Sequence, residues 1–406
     1  MSVLKYYILL FLILRFATNQ KIFSQPVFEV GGSSTFELTQ GQVNSHFYYN
    51  EIHPARRDFD VSVRELNLLL KVNLSEQIAI HSRGLLRQRR GYKLDEYHLS
   101  QAYMNWEKKD RSLQISMGRI INPFGRFYQT LLPRDRIFID NPLAYSYYTN
   151  ISENVGYTEG LYEPNILRID NSRDWGLPVS YYEGYTTGIK GRWHFWPDTG
   201  FIDIAWVHAA PITARNLSNP IHPTLISRLE LHPFFPWKQG FSFAMGGFMQ
   251  REDINESIED LSAYRQILVG TDFSLGYTYF ELSGEIISAW HRVPVFNQDI
   301  QAFEGNQTRP DQQTLYNLSG YATLKYEMPF WVGSYLAYRV GGIYFGDIQS
   351  PTEAKRSWDD HVIRHAWVLG YHINRFTLFK SVFSVQDVSN KAWRLNTFRS
   401  SLTLYF

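Results

Sequence analysis

The chain has 406 residues, a formal net charge of +1 and no cysteine. That balance gives no case for nucleic acid or for a bulk acidic partner. The missing cysteines exclude a disulfide framework and any thiolate metal centre.

Aromatic residues make up 16% of the chain, rich for a soluble domain and suited to the aromatic belts of a membrane interface. The mean hydropathy of −0.30 argues against a bundle of apolar helices. It is ordinary where only alternate residues of a strand meet lipid.

Residues 1–24 read as a secretory signal: Lys5 supplies a positive start, residues 6–14 an apolar core, and Ser24 a small residue before a cut at Gln25. Arg15 interrupts the apolar run, which falls short of the roughly 20 residues a helical span needs. Residues 25–406 then read as one domain, with no linker or internal repeat.

From Val27 onward the pattern predicts about 16 strands, each near the ~10 residues of a tilted membrane crossing. They fall near 27–38, 61–72, 77–86, 97–107, 112–121, 183–195, 201–210 and 223–232. The rest fall near 240–250, 263–273, 277–289, 315–327, 334–345, 361–372, 376–386 and 393–406. Short connections near 73–76, 108–111, 197–200, 233–239, 274–277, 328–333 and 373–375 alternate with longer ones. Such alternation belongs to an antiparallel transmembrane barrel with both termini on the periplasmic side.

The last strand is the clearest. Phe398, Leu402, Leu404 and Phe406 share one face, while Thr397, Arg399, Ser401 and Thr403 share the other, with Ser400 a small exception. An aromatic residue ending such a strand is expected to be read by the barrel-assembly machinery. The fold class is therefore all-β: a single transmembrane antiparallel β-barrel in the outer membrane of a Gram-negative bacterium, with a long inserted loop after the fifth strand.

That loop, residues 122–182, is too long for a turn and too aromatic for a disordered tail. Folded inward it would narrow the lumen, with Arg134, Asp135, Arg136, Tyr147 and Tyr148 as constriction residues. An outer cap over the mouth is the alternative.

Just before it stands Gly118-Arg119-Ile120-Ile121-Asn122-Pro123-Phe124-Gly125 at a strand end. This motif, with the strand order around it, resembles the phosphate-selective porin (porin O and P) family and related sixteen-stranded porins. The resemblance implies a trimeric diffusion channel. The family's phosphate specificity rests on a ladder of basic lumen residues that has no position-by-position match here, so it is not carried over.

Placing the polar face of each strand inward makes Lys71, Arg83, Lys190, Arg192, Arg228, Lys325, Arg339, Arg364, Lys380 and Arg399 the basic lumen residues. The acidic ones are Glu65, Asp203, Glu230, Asp272, Glu281 and Glu285. The basic excess predicts a mild preference for anions. Opposite charges on facing strands can equally pair and hold the wall together.

No catalytic, cofactor or metal site is expected. His81 and Ser82 are neighbours in one strand and point to opposite faces. His361 and His365 would stand about 13 Å apart in a strand, which suits rim residues better than ligands. The reading is an outer-membrane channel for small hydrophilic solutes or anions, a homotrimer being the expected assembly. A non-conducting barrel that docks lipoproteins or envelope machinery is the second reading.

Overall fold

The computed structural model describes residues 26–41, 59–87, 96–130, 132–147, 149, 151–152, 156–159, 184–195, 199–208, 223–247, 264–297, 311–348, 356–389 and 395–406. The expected signal, residues 1–24, lies outside the described residues, as does Tyr148.

The wall is made of β1 (Val27–Gly41), β2 (Phe59–Asn73), β3 (Ile78–Arg87), β4 (Glu96–Glu107), β5 (Leu113–Ile121), β6 (Tyr185–His194), β7 (Gly200–Val207) and β8 (Thr224–Phe234). It continues through β9 (Trp237–Gly247), β10 (Arg265–Tyr277), β11 (Phe280–Asn297), β12 (Asp311–Glu327), β13 (Ser334–Phe345), β14 (Val362–Asn374), β15 (Thr377–Val388) and β16 (Leu395–Tyr405).

Each strand pairs antiparallel with the next, and β16 also pairs with β1, from Ser33 opposite Tyr405 to Gly41 opposite Thr397. The result is a closed sixteen-stranded barrel with no free edge. Phe406 completes the seam: its N–H and C=O exchange hydrogen bonds with Gly32 at 3.2 and 2.9 Å. A side chain on Gly32 would collide with the Phe406 ring.

Alternation decides which face meets which solvent. On β16, Leu404 is 40% exposed and Thr403 only 2%. Leu66, Leu68 and Leu70 of β2 face outward, while Glu65 and Asn67 are buried. The outer face therefore carries Leu, Ile, Val and Phe, a surface suited to hydrocarbon.

Aromatic residues ring it at both ends. Near the short turns stand Phe234 with Trp237 and Trp331 with Tyr371, each pair with centroids 5.2 Å apart. Near the long loops stand Trp290 with Tyr316 at 5.4 Å and Tyr344 with His361 at 4.6 Å. Tyr and Trp settle there because the ring is apolar while its polar atom reaches headgroups and water.

Two turns differ from the sequence reading. Residues 233–239 look like a loop because of their prolines, yet β8 runs to Phe234 and β9 starts at Trp237. A register shift between Leu231 and Phe234 absorbs Pro233, which has no N–H to offer the ladder. The turn expected at 274–277 lies instead between β10 and β11, where Thr278 takes a φ of 52°. On the opposite side of the barrel end, β11 and β12 reach 18 and 17 residues. They extend past the ~10 needed to cross a bilayer, so the strand expected to end near 289 runs on to Asn297.

Candidate functional site: the lumen and its inserted segment

The segment after β5 turns inward because of its local chemistry. Asn122 Oδ1 accepts the Phe124 N–H at 2.9 Å, and the Gly125 N–H donates to Ser242 Oγ on β9 at 3.0 Å. Gly125 has a φ of +69°, and a Cβ there would run into the Glu285 carboxylate and the Tyr145 hydroxyl. Only glycine fits this position.

Two short helical turns follow, Phe127–Gln129 and Leu143–Ser146. Short strands Ile151–Ser152 and Gly156–Glu159 then pair with each other, and the second adds in parallel to the end of β11.

The segment is seated on two patches of the inner wall. Phe124, Tyr128 and Tyr145 pack with Ala205, Ile226, Ala244, Leu268, Ile287 and Ala289. Phe138 and Ile139 pack with Tyr335, Ala337, Ala366, Val368 and Val382. Strands such as β7 are thus largely apolar on both faces, Asp203 being the inner exception. That doubled hydrophobicity, visible in residues 201–207, is the sequence signal that part of the lumen wall is covered.

Polar bonds fasten the same segment. Asp140 is held by Arg339 Nη2 at 2.7 Å and Arg364 Nη1 at 3.2 Å. Burial by itself would raise the Asp140 carboxyl; the two guanidinium charges outweigh it and hold the group below the usual carboxylate range. Lys380 Nζ donates to the carbonyl of Pro133 at 2.6 Å and to that of Arg136. The Tyr335 hydroxyl donates to the Ile137 carbonyl at 2.8 Å, and the Tyr147 hydroxyl to Asp359 Oδ1 at 3.0 Å.

The Tyr145 hydroxyl donates to Glu285 Oε1 at 2.5 Å, and Tyr321 donates to the other oxygen at 3.2 Å. Burial and the nearby Glu285 charge push the Tyr145 phenol well above its usual range, so it stays a donor.

The lumen residues expected from the sequence are mostly paired. Arg192 forms a fork with Asp203, both distances 2.7 Å, across the β6–β7 register. Arg228 bonds Asp272 and, at 2.9 Å, Glu230. Arg399 reaches Glu37 Oε1 at 2.6 Å, and Arg64 takes the other Glu37 oxygen at 2.7 Å. Arg83 donates to Asn67 and to the Tyr185 hydroxyl.

At the turn-side rim, Lys71 pairs with Glu29 and Lys325 with Glu327, at 2.9 and 2.7 Å. Glu281 stands 3.6 Å from Arg126, and Lys190 lies on the same face of β6 as Arg192. Glu65 is buried on the inner face of β2. In the segment, Arg134 pairs with Asp135 at 3.5 Å, both side chains exposed, while Arg136 is buried.

Sequence reasoning missed Glu37, Arg64 and Asp140. Strict alternation from Leu66 places Arg64 outward. A register shift opposite Thr35 and Phe36 inserts one residue and lets Arg64 reach Glu37. Asp140 had no local signal at all.

Among the described residues, the histidines singled out above do not converge. His81 stacks on Tyr103 with centroids 4.9 Å apart, His361 Nδ1 accepts the Phe345 N–H, and His365 meets the Tyr338 hydroxyl at 2.6 Å.

These features define the class: a sixteen-stranded barrel with a charged lumen and a segment seated inside it. No known protein family matches the chain, and no curated protein matches its sequence. Solved structures do match. An anion-selective porin from Comamonas acidovorans aligns over 94% of this chain and 100% of its own, at 7% identity and a TM-score of 0.59. A loop-deletion mutant of the outer-membrane protein OmpT from Vibrio cholerae aligns over 94% and 99%, at 7% identity and 0.58.

The outer-membrane channel DcaP of Acinetobacter baumannii aligns over 95% and 98%, at 8% identity and 0.56. At such identities the likeness is one of fold. It reaches the sixteen-stranded porin barrel and goes no finer, so the phosphate-selective family stays a resemblance of one motif.

Proposed function

We propose that the chain is an outer-membrane channel of a Gram-negative bacterium, through which small hydrophilic solutes diffuse passively. The observation that carries this reading is the division of the wall: lipid-compatible residues outside, and a polar, ion-paired lumen narrowed by a fastened segment inside. A barrel built only as a surface scaffold has no need of such a lumen. Residues 122–182 act as its constriction, and residues 1–24 as the export signal.

Selectivity follows from which charges remain available. Arg192, Arg228 and Arg399 each hold a carboxylate, so much of the basic excess is neutralised in place. Lys190, on the same inner face of β6 as Arg192, leaves a modest positive field, which favours anions. Assembly as a homotrimer, inserted by the barrel-assembly machinery through β16, completes the reading. The outer-membrane OmpT of Vibrio cholerae is described in a trimer form.

The test is conductance of the refolded protein in a planar bilayer under a salt gradient. Discrete steps with a reversal potential on the anion side are expected. A folded barrel that gives no steps overturns the channel, and a cation-side potential overturns the selectivity.

A further inference from the structure

On the short-turn side of the inserted segment lies a cavity of about 240 Å³, between Arg126, Phe127 and Arg136 of the segment and Glu281, Tyr321 and Lys325 of the wall. Most of its charges face a group of opposite sign. Arg339 holds Asp140 at 2.7 Å, Arg126 faces Glu281 at 3.6 Å, Arg134 faces Asp135 at 3.5 Å, and Lys325 holds Glu327 at 2.7 Å.

Arg136 breaks this pattern. It is 8% exposed, its Nε donates to the Thr130 carbonyl at 3.2 Å, and its guanidinium lies 5.8 Å over the Phe127 ring. Among the described residues no carboxylate reaches it. Behind it Lys380 adds another positive charge, its ammonium turned to the carbonyls of Pro133 and Arg136. A nearly buried guanidinium without a counter-charge is unfavourable, and an anion entering the cavity would supply that charge.

We propose that this cavity binds a small organic monocarboxylate, its carboxylate on Arg136 and its carbon skeleton among the surrounding rings. A carboxylate suits the planar fork of a guanidinium. One guanidinium facing this cavity without a carboxylate among the described residues calls for one negative charge; a second on the ligand would face Glu281 and Asp135. The volume is below the roughly 300 Å³ at which drug-sized pockets begin, which sets the ligand at a single ring or a short chain. The proposal rests on the channel reading only for the lumen being open to water.

The experiment is calorimetric titration of the full-length chain, refolded in detergent, with sodium benzoate, succinate and phosphate at pH 7.5 and fixed ionic strength. Because conduction is not measured, failure here and failure of the channel reading are distinct results. Benzoate is expected to bind about tenfold or more tightly than succinate or phosphate. Arg136→Gln is expected to weaken benzoate about tenfold or more, the range for a lost charge-assisted hydrogen bond. Arg111→Gln, at an exposed ion pair in the turn between β4 and β5, leaves binding within about twofold.

No benzoate binding, equal or tighter succinate or phosphate binding, or an Arg136→Gln protein that binds like wild type would overturn the proposal. If Arg136→Gln does not fold, the ranking of the three anions on the wild-type protein decides alone.

Discussion

Asp140 is the strongest test of how the inserted segment is held. Its carboxylate is 4% exposed and serves two guanidinium groups, Arg339 on β13 and Arg364 on β14. Asp140→Ala removes the shared counter-charge and leaves both cations buried. Removing one partner of a buried ion pair costs about 3–5 kcal/mol. Arg364 keeps two hydrogen bonds to Gln386 Oε1, at 3.0 and 2.7 Å, which pulls the expected value toward the lower end.

Asp140→Asn keeps an acceptor, and its expected loss is about 1–3 kcal/mol. The assay is urea unfolding of the refolded barrel, followed by tryptophan fluorescence. A loss under about 1 kcal/mol for Asp140→Ala, the range of exposed pairs, would refute the idea that this contact fastens the segment.

The pH dependence has a definite sign. A carboxyl depressed in the folded state adds stability above its unfolded value of about 3.9. That stability is lost progressively as pH falls from the unfolded value through the lower folded one. The gap between wild type and Asp140→Ala should therefore stay constant from about pH 8 to pH 5 and close only in stronger acid.

Tyr145→Phe deletes the donor to Glu285, and the same assay should show a loss of about 1.5–3 kcal/mol. Wild-type stability in that variant would mean the hydroxyl does not hold the segment. Gly125→Ala should lose about 1–2 kcal/mol from its left-handed backbone alone. The clash with Glu285 and Tyr145 adds to that, so an unchanged unfolding midpoint would contradict the inward turn.

Ile286→Lys, at a 54% exposed site in the middle of β11, should cost about 2–4 kcal/mol, against about 0–1 for Leu404→Lys near the rim. Folded yield measured by heat-shifted gel mobility tests this, and equal yields would place the membrane belt elsewhere.

The wall was legible in the sequence because strand alternation acts locally. Phe398, Leu402 and Leu404 against Thr397, Arg399, Ser401 and Thr403 needed only a period of two, and the burial of β16 follows it. Closure too was implied, since short and long connections alternate only in a hairpin-built barrel. Neighbouring-strand pairs such as Arg192 with Asp203 lay within reach of the same reasoning, because adjacent strands fix which residues face each other.

Local pattern failed where one residue changed the phase. The irregularity at Arg64 reverses a side chain that alternation had placed outward, and no flanking residue announces it. It failed again inside the segment. Asp140 lies 199 positions from Arg339 and 224 from Arg364. Such partners meet only because the closed wall brings β13 and β14 to face whatever is folded into the lumen. The sequence by itself determined the strands, their faces and the class of solvent each face meets, since those depend on neighbours in the chain. Which charges cancel, where the segment rests and which guanidinium faces the cavity were decided by the tertiary structure, because closure alone sets distances across the barrel.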